Sequence, residues 1–449
     1  MSKIYDFTFS FRLVKNYMVF CFKRFYGAYV VLGKENIPAQ GPIIFAPNHT
    51  NALMDALAVH AIAPKDMAVI FLARADLFQN KTAAKYLQFA KIMPAFRMRD
   101  GMENLGRNNE VFDRCVEVLD NNKALGIMPE GNQEIERKLR PLVKGIFRIA
   151  FAAQQKYRSE PGVKIIPVGI DYGSIVKANK HIIINIGKPI EVSEYMNAYA
   201  DNAVDATNEI RDRLRNELGH LSLDLASDKY YDCFEMVLEL ANRAVLEELQ
   251  LVDTTVSRFV ARQKIAERLV NLEKNAPEEM QRLEKLCLEY TAALKKINIK
   301  SKVLDDIQWT ISGLIGECAL LLITSPLFVA GFLLNFLPFF LPVFIRKYII
   351  KPEFTGFISS LQYVLGLITF PVFYILQSVL FFSLTDVPLW KDFLFLFIQY
   401  PLLKCALTWY NWGRKYLINL RYEFLKQIKS SKLVAAMKLR EQIIRMISL

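Results

Sequence analysis

The sequence predicts an α/β domain, a sheet flanked by helices, followed by a helical segment and a C-terminal helical transmembrane region. Three observations carry this. Residues 29–192 alternate short apolar, strand-like runs with helical patterns. Residues 203–299 place apolar side chains three and four apart among many Glu, Lys and Arg, with a single proline. Residues 314–345, 357–385 and 393–412 contain no charged residue besides Glu317 and Lys404.

The strand-like runs are 42–46, 67–73, 124–128, 163–170 and 181–186, and helical patterns cover 105–122 and 141–157. Pro167 interrupts one run, which predicts an edge strand or a bulge there, because proline cannot donate to a ladder. Residues 1–28 mix Lys and Arg with Phe, Tyr and Val and lack a clean apolar core with a small-residue cleavage site. They read as an amphipathic interfacial helix rather than a signal peptide. The expected organisation is this helix, a catalytic-type α/β domain over 29–200, a helical segment over 201–305, a membrane region over 306–415 and a basic cytoplasmic helical tail over 416–449.

The first apolar stretch is long enough for one tilted crossing of a ~30 Å hydrocarbon core. Pro326, Asn335, Pro338 and Pro342 interrupt it. Arg346, Lys347 and Lys351 follow it, and the tail after residue 412 is also basic. Positive loops favour the cytoplasmic side. A re-entrant or kinked hairpin over 314–345, with full spans at 357–385 and 393–412, puts every basic loop on one side with the N-terminal domain, and that topology is expected. Lys404 near a span end is expected to snorkel.

The formal net charge of +12 suits nucleic acid, an anionic membrane or an acidic substrate. No nucleic-acid-binding motif is visible, and aromatics do not interleave with Lys and Arg as a stacking platform needs. Membrane is therefore the expected partner and nucleic acid is not. The six cysteines are scattered without a CxxC pair, so neither a metal site nor a disulfide framework is expected, and a thiol-keeping, cytosol-facing compartment fits.

Four stretches carry chemistry. In GPIIFAPNHTNALMDAL, an apolar run delivers His49, with Asp55 following. A neutral imidazole can take a proton from an alcohol, and a carboxylate on its other nitrogen fixes the tautomer and stabilises the imidazolium. Taken alone, such a pair is also common by chance. In KIMPAFRMRDG, an apolar turn delivers Arg97 and Arg99. In IMPEGNQEIERKLRPLVKG, Glu130 and Gly131 precede Arg137, Lys138, Arg140 and Lys144, cations that suit a phosphate or else a solvated turn. Gly131 permits a tight turn. The fourth stretch is KIIPVGIDYG with Pro167.

The order of the four blocks, NHTNALMD, MPAFRMR, MPEGNQE and IIPVGI, resembles the glycerophosphate acyltransferase family, the PlsC-type membrane acyltransferases, over roughly residues 29–195. Two departures stand out. Five residues separate His49 from Asp55 where that family usually has four, and Gln133 stands where it usually has arginine. The longer spacing to Arg137 and Arg140, with Pro141-Leu142 and Lys144-Gly145, is similar to the fungal-type branch that acylates glycerol 3-phosphate or dihydroxyacetone phosphate, as is the segmented apolar C-terminus.

The resemblance implies a glycerolipid acyltransferase-like sheet and transfer of a fatty acyl group from a thioester, acyl-CoA or acyl-carrier protein, to a hydroxyl of a glycerol phosphate. His49 would be the general base and Asp55 its orienting partner. Arg97 would bind the phosphate, with Arg99, Arg137, Arg140 and Lys144 as further candidates. Glu130 and Gly131 would shape the acceptor pocket, and Pro167 would line the acyl side. The resemblance calls for no metal and no cofactor beyond the acyl donor. Lysophosphatidate is the leading acceptor, ahead of glycerol 3-phosphate and dihydroxyacetone phosphate, in phospholipid biosynthesis. A non-catalytic lipid-binding scaffold is the alternative of a different class. The chain is expected in a membrane with its catalytic domain cytoplasmic, and its compact length points to a bacterial inner membrane.

Overall fold

The computed structural model describes residues 4–95, 105–156, 162–299, 301, 311–352, 354–385 and 387–447. The chain divides into two compact units. One comprises Met1–Asp224 and Pro352–Tyr363; the other comprises Leu225–Lys351 and Val364–Leu449.

The first unit is built on one eight-stranded sheet. Its strands are β1 (Ala28–Leu32), β2 (Ile43–Pro47), β3 (Val69–Arg74), β4 (Ile92–Ala95), β5 (Ala124–Gly126), β6 (Lys164–Tyr172), β7 (His181–Ile186) and β8 (Ile190–Glu191). The spatial order is β1-β7-β6-β2-β5-β3-β4, with β8 pairing β6. Strands β6, β2, β5, β3 and β4 run parallel, whereas β7 and β8 are antiparallel to β6. Helices α2 (Ala52–Ile62), α3 (Lys81–Phe89), α4 (Leu105–Asp120) and α5 (Gly145–Lys156) connect the parallel strands in turn. Every residue of β2 is buried, as the unbroken apolar run Ile43-Ile44-Phe45-Ala46-Pro47 requires of a strand covered on both faces. Phe147 and Phe151 of α5 pack into the same core as Ile44, Ile70 and Leu125, and Phe151 stacks on Tyr199 with ring centroids 4.1 Å apart.

Pro167 does not lie at an edge. Its strand, β6, has β2 on one side, where Pro167 pairs with Ala46. On the other side, β8 pairs with Lys164 and Ile165 and β7 pairs with Val168 to Tyr172. Ile166 and Pro167 fall where the neighbour changes, so an interior strand accommodates the missing donor. The short strands β4 and β8 escape the apolar-run reading because they are only a few residues long, whereas β1 is itself an apolar run whose five residues are all half-buried.

Helix α1 (Phe9–Phe25) buries Phe11, Lys15 and Phe22 and leaves Phe9, Leu13 and Phe20 exposed. Lys15 donates to the carbonyls of Pro64, Lys65 and Met67, just past the end of α2, where cations complement a helix terminus. Residues Pro352–Tyr363 belong to this unit: the Tyr363 hydroxyl donates to the Met18 carbonyl, and its ring meets Phe22 and Phe25 edge-on.

The second unit contains the helices from α8 (Tyr231–Leu240) through α11 (Pro277–Ile297) and the tail helix α15 (Ser431–Ile447), which packs on α11. Among its described residues it also contains three helices long and apolar enough to cross a membrane: α12 (Ile311–Phe344) with its π-helical extension Ile345–Ile350, α13 (Ile358–Leu384) from Val364 onward, and α14 (Leu389–Gln427). The re-entrant or kinked hairpin expected over 314–345 is instead one continuous helix. Pro338 leaves the Leu334 carbonyl without its helical donor, and Gln377 Nε2 donates to it at 2.9 Å. Asn335 Nδ2 donates to the Gly331 and Gln399 carbonyls, and the Tyr374 hydroxyl donates to Asn335 Oδ1 at 2.6 Å. Proline thus needs no chain reversal here, because side chains of the neighbouring helices satisfy the backbone. Gly331 lets α12 approach α14 closely: a Cβ there would stand 2.2 Å from the Leu402 carbonyl oxygen.

Candidate active site

Ligands of parallel sheets gather at the C-terminal strand ends. Strands β6, β2 and β5 are neighbours and parallel, so their ends deliver three of the predicted stretches to one edge. After β2, the Asn48 side chain prolongs the ladder: Ile170 N–H donates to its Oδ1 at 2.7 Å, and its Nδ2 donates to the Ile170 carbonyl at 3.1 Å. His49 follows immediately, with its side chain 18% exposed.

His49 Nδ1 lies 2.8 Å from Asp55 Oδ2. The same oxygen accepts from the backbone N–H groups of Thr50 (3.0 Å) and Asn51 (2.8 Å), and Oδ1 accepts from the Tyr172 hydroxyl at 2.6 Å. Asp55 is fully buried in the first turn of α2, where the helix dipole favours a carboxylate. Burial pushes the Tyr172 phenol well above its usual range, and the Asp55 carboxylate beside it adds to the rise. Tyr172 is therefore held protonated, as the donor. The five-residue interval between His49 and Asp55 is taken up before the helix settles. Asn51, with φ −137° and ψ 45°, is neither extended nor helical, and Ala52 occupies the left-handed region with φ +43°.

Glu130, at the end of the β5 stretch, is 6% exposed. Its Oε1 accepts the His49 backbone N–H at 2.8 Å, and its Oε2 accepts Arg140 Nε at 2.9 Å and Arg140 N–H at 3.2 Å. Arg140 Nη2 donates to the His49 carbonyl at 3.1 Å and to the Asn132 carbonyl. Burial pushes the Glu130 carboxyl up, against the Arg140 guanidinium and the two N–H groups that favour its charge. Gly131 has φ +70°, the backbone that this turn needs and that glycine supplies without strain.

Arg137 Nη2 donates to the Tyr172 carbonyl at 2.9 Å, and its Nε lies 3.4 Å from Asp171 Oδ1. The loop carrying these cations is held from helix α7 (Ala203–Leu221) and just beyond it. Arg215 Nη1 donates to the Leu139 and Arg140 carbonyls, and Asp224 accepts the Leu139 N–H.

Contacts thus join His49, Asp55, Glu130, Arg140 and Arg137. Lys144 is exposed at the start of α5, and Pro167 lies in the interior of β6. Arg97 and Arg99 lie outside the described residues. The sequence reading missed Asn48, Asn51 and Tyr172. Asn48 and Asn51 flank the histidine within NHTN, and Tyr172 closes the KIIPVGIDY run, so each sat inside a quoted stretch without a charge to mark it.

The arrangement offers a histidine whose Nδ1 is occupied by a buried carboxylate and whose Nε2 has no protein partner among the described residues. Residues 29–171, which contain this whole cluster, match the family model described as Acyltransferase. They form an acyltransferase domain. The chain is 24% identical over 286 residues to glycerol-3-phosphate O-acyltransferase 1 of Saccharomyces cerevisiae, a match covering 60% of this chain and 37% of the yeast protein. The chain therefore spans well under half the length of that relative. Among solved structures, it is similar to the 1-acyl-sn-glycerophosphate acyltransferase PlsC of Thermotoga maritima, with 19% identity, a TM-score of 0.34, and coverage of 46% of this chain and 79% of that one. The acyltransferase domain holds His49 and Glu130 in one hydrogen-bonded frame, since the Glu130 side chain and the Arg140 guanidinium bind the backbone on either side of the imidazole.

Proposed function

We propose that the chain transfers a fatty acyl group from an acyl thioester to a hydroxyl of a glycerol phosphate at the cytoplasmic face of a membrane. The observation that carries this is the 2.8 Å His49–Asp55 pair, set at the C-terminal edge of the sheet in an acyltransferase domain. In the reading we favour, Asp55 accepts from His49 Nδ1–H, and Nε2 takes the proton of the acceptor hydroxyl. The hydroxyl oxygen attacks the thioester carbonyl carbon; the C–S bond then breaks, and the imidazolium returns its proton to the leaving thiolate. No covalent acyl-enzyme is needed. General base catalysis of ~10²–10⁴-fold, with positioning, suits a leaving group this good.

The similarity to a glycerol-3-phosphate acyltransferase, together with the fungal-type spacing of the Glu130 block, puts glycerol 3-phosphate first among acceptors, ahead of lysophosphatidate, the leading acceptor expected from the sequence. Arg137 and Lys144, with Arg97 and Arg99, are the cations we assign to the acceptor phosphate. Arg140 supports the loop and the His49 backbone instead, since its Nε donates to Glu130 and its Nη2 to the His49 and Asn132 carbonyls. The three apolar helices suit an acceptor or product that partitions into lipid.

The test supplies the detergent-purified chain with labelled palmitoyl-CoA and, in parallel, glycerol 3-phosphate, lysophosphatidate or dihydroxyacetone phosphate. Acylated glycerol 3-phosphate as the main product supports the reading. Preference for lysophosphatidate changes the acceptor but not the chemistry. No product from any acceptor, with CoA or carrier-protein donors, rejects it.

A further inference from the structure

Residues Pro352–Tyr363 lie about three hundred positions after the histidine, yet they belong to the same compact unit. Ser359, which is 1% exposed, donates from its hydroxyl to Asn51 Oδ1 at 2.7 Å. Asn51 is fully buried, and Ser359 is the only hydrogen-bond partner of its side chain among the described residues. The Asn51 backbone N–H is in turn one of the donors that fix Asp55 Oδ2, the oxygen facing His49.

The turn between the two catalytic candidates is therefore pinned from a distant segment at its least regular point. Ala52, the next residue, holds a left-handed backbone that an alanine adopts at a cost, and such strain persists only where the surroundings fix it. Tyr363 anchors the same segment to α1 through the Met18 carbonyl, so Ser359 is presented from a fixed support. A flexible turn would let Asp55 drift from the imidazole, and small misplacements of a catalytic pair are costly in rate.

We propose that Ser359 is a positioning residue for the proposed acyl transfer, acting through Asn51 on the His49–Asp55 pair, so that the catalytic unit is incomplete without residues Pro352–Tyr363. This rests on the reading of His49 as the base. No element of the His-to-Asp stretch itself supplies this support.

The test uses the full chain with palmitoyl-CoA and the preferred acceptor, comparing wild type with Ser359→Ala, Asn51→Ala, the double variant and His49→Ala, each with its Tm. The loss of one hydrogen bond of this kind predicts kcat about tenfold lower in Ser359→Ala, with both KM values within about twofold of wild type. The double variant should be no slower than the slower single variant, because both break one link. Ser359→Cys, which keeps the volume and a weak donor, should recover part of the rate. Full kcat in Ser359→Ala, or additive losses in the double variant, overturns the proposal. If His49→Ala is inactive while Ser359→Ala is fully active, only this inference fails; if His49→Ala keeps the wild-type rate, the reading of the base fails first.

Discussion

The Tyr172 hydroxyl, at the end of strand β6, donates 2.6 Å to Asp55 Oδ1 in the first turn of helix α2. Both side chains are removed from solvent, and the tyrosine completes a set of four donors around one carboxylate. The position of the carboxylate is thus set by the sheet as well as by its own helix.

Tyr172→Phe removes one of those donors while keeping the ring. Its kcat is expected to fall about tenfold with KM nearly unchanged. Asp55→Asn, which presents the wrong hydrogen-bonding group to Nδ1, should fall by ~10²–10⁴. Steady-state kinetics on the two variants checks the ranking.

Ala52 pays for its φ of +43° in backbone strain. Glycine adopts this region freely, so Ala52→Gly should raise stability by up to about 1 kcal/mol and keep activity, whereas Ala52→Val should lower both. Thermal unfolding of the two variants decides, and a destabilised glycine variant would contradict the account of how the longer His–Asp interval is absorbed.

Arg140 and Glu130 form a pair with side chains 13% and 2% exposed. Removing one partner of a buried pair leaves the other uncompensated, so Arg140→Ala should cost about 3–5 kcal/mol. Glu130→Gln combined with Arg140→Met should cost less than Arg140→Ala alone. The comparison of unfolding midpoints separates a structural role for Arg140 from one in phosphate binding, which would change KM at constant Tm.

The sheet was legible where its strands are buried on both faces, as at Ile43-Ile44-Phe45 and Lys164–Tyr172, because such strands write unbroken apolar runs. The half-buried β1 writes an unbroken apolar run as well, Ala28-Tyr29-Val30-Val31-Leu32, so such a run does not by itself tell how deeply its strand is buried. The histidine, its carboxylate and the Glu130 turn were legible because charged residues at the ends of apolar runs are conspicuous. The supports were not. Tyr172, Asn51 and Ser359 are ordinary residue types whose meaning comes from contacts 117 and 308 positions long, which no local pattern encodes. Prolines misled in both places they were used. Pro167 is tolerated where the partner strand changes, and Pro338 is tolerated because Gln377 takes the freed carbonyl.

His60, at the far end of α2, is 7% exposed between the rings of Phe11 and Phe71, and burial lowers its pKa to about 3, with Lys15 adding to the shift. The folded chain holds this imidazole neutral, while the unfolded chain protonates it below about 6.5. Stability from this group is fully present above that value and is lost as pH falls towards 3, by about 2 kcal/mol at pH 5. The Tm of wild type should therefore drop more between pH 7 and pH 5 than that of His60→Phe. Equal drops would show that another group governs acid sensitivity.

The most direct measurement is the rate of acyl transfer from labelled palmitoyl-CoA to glycerol 3-phosphate by wild type and by His49→Ala at equal folded concentration. The account predicts a loss of at least ~10²-fold in kcat with Tm unchanged, because the Asp55 carboxylate keeps its three other donors. A His49→Ala variant that transfers acyl groups at the wild-type rate would contradict it.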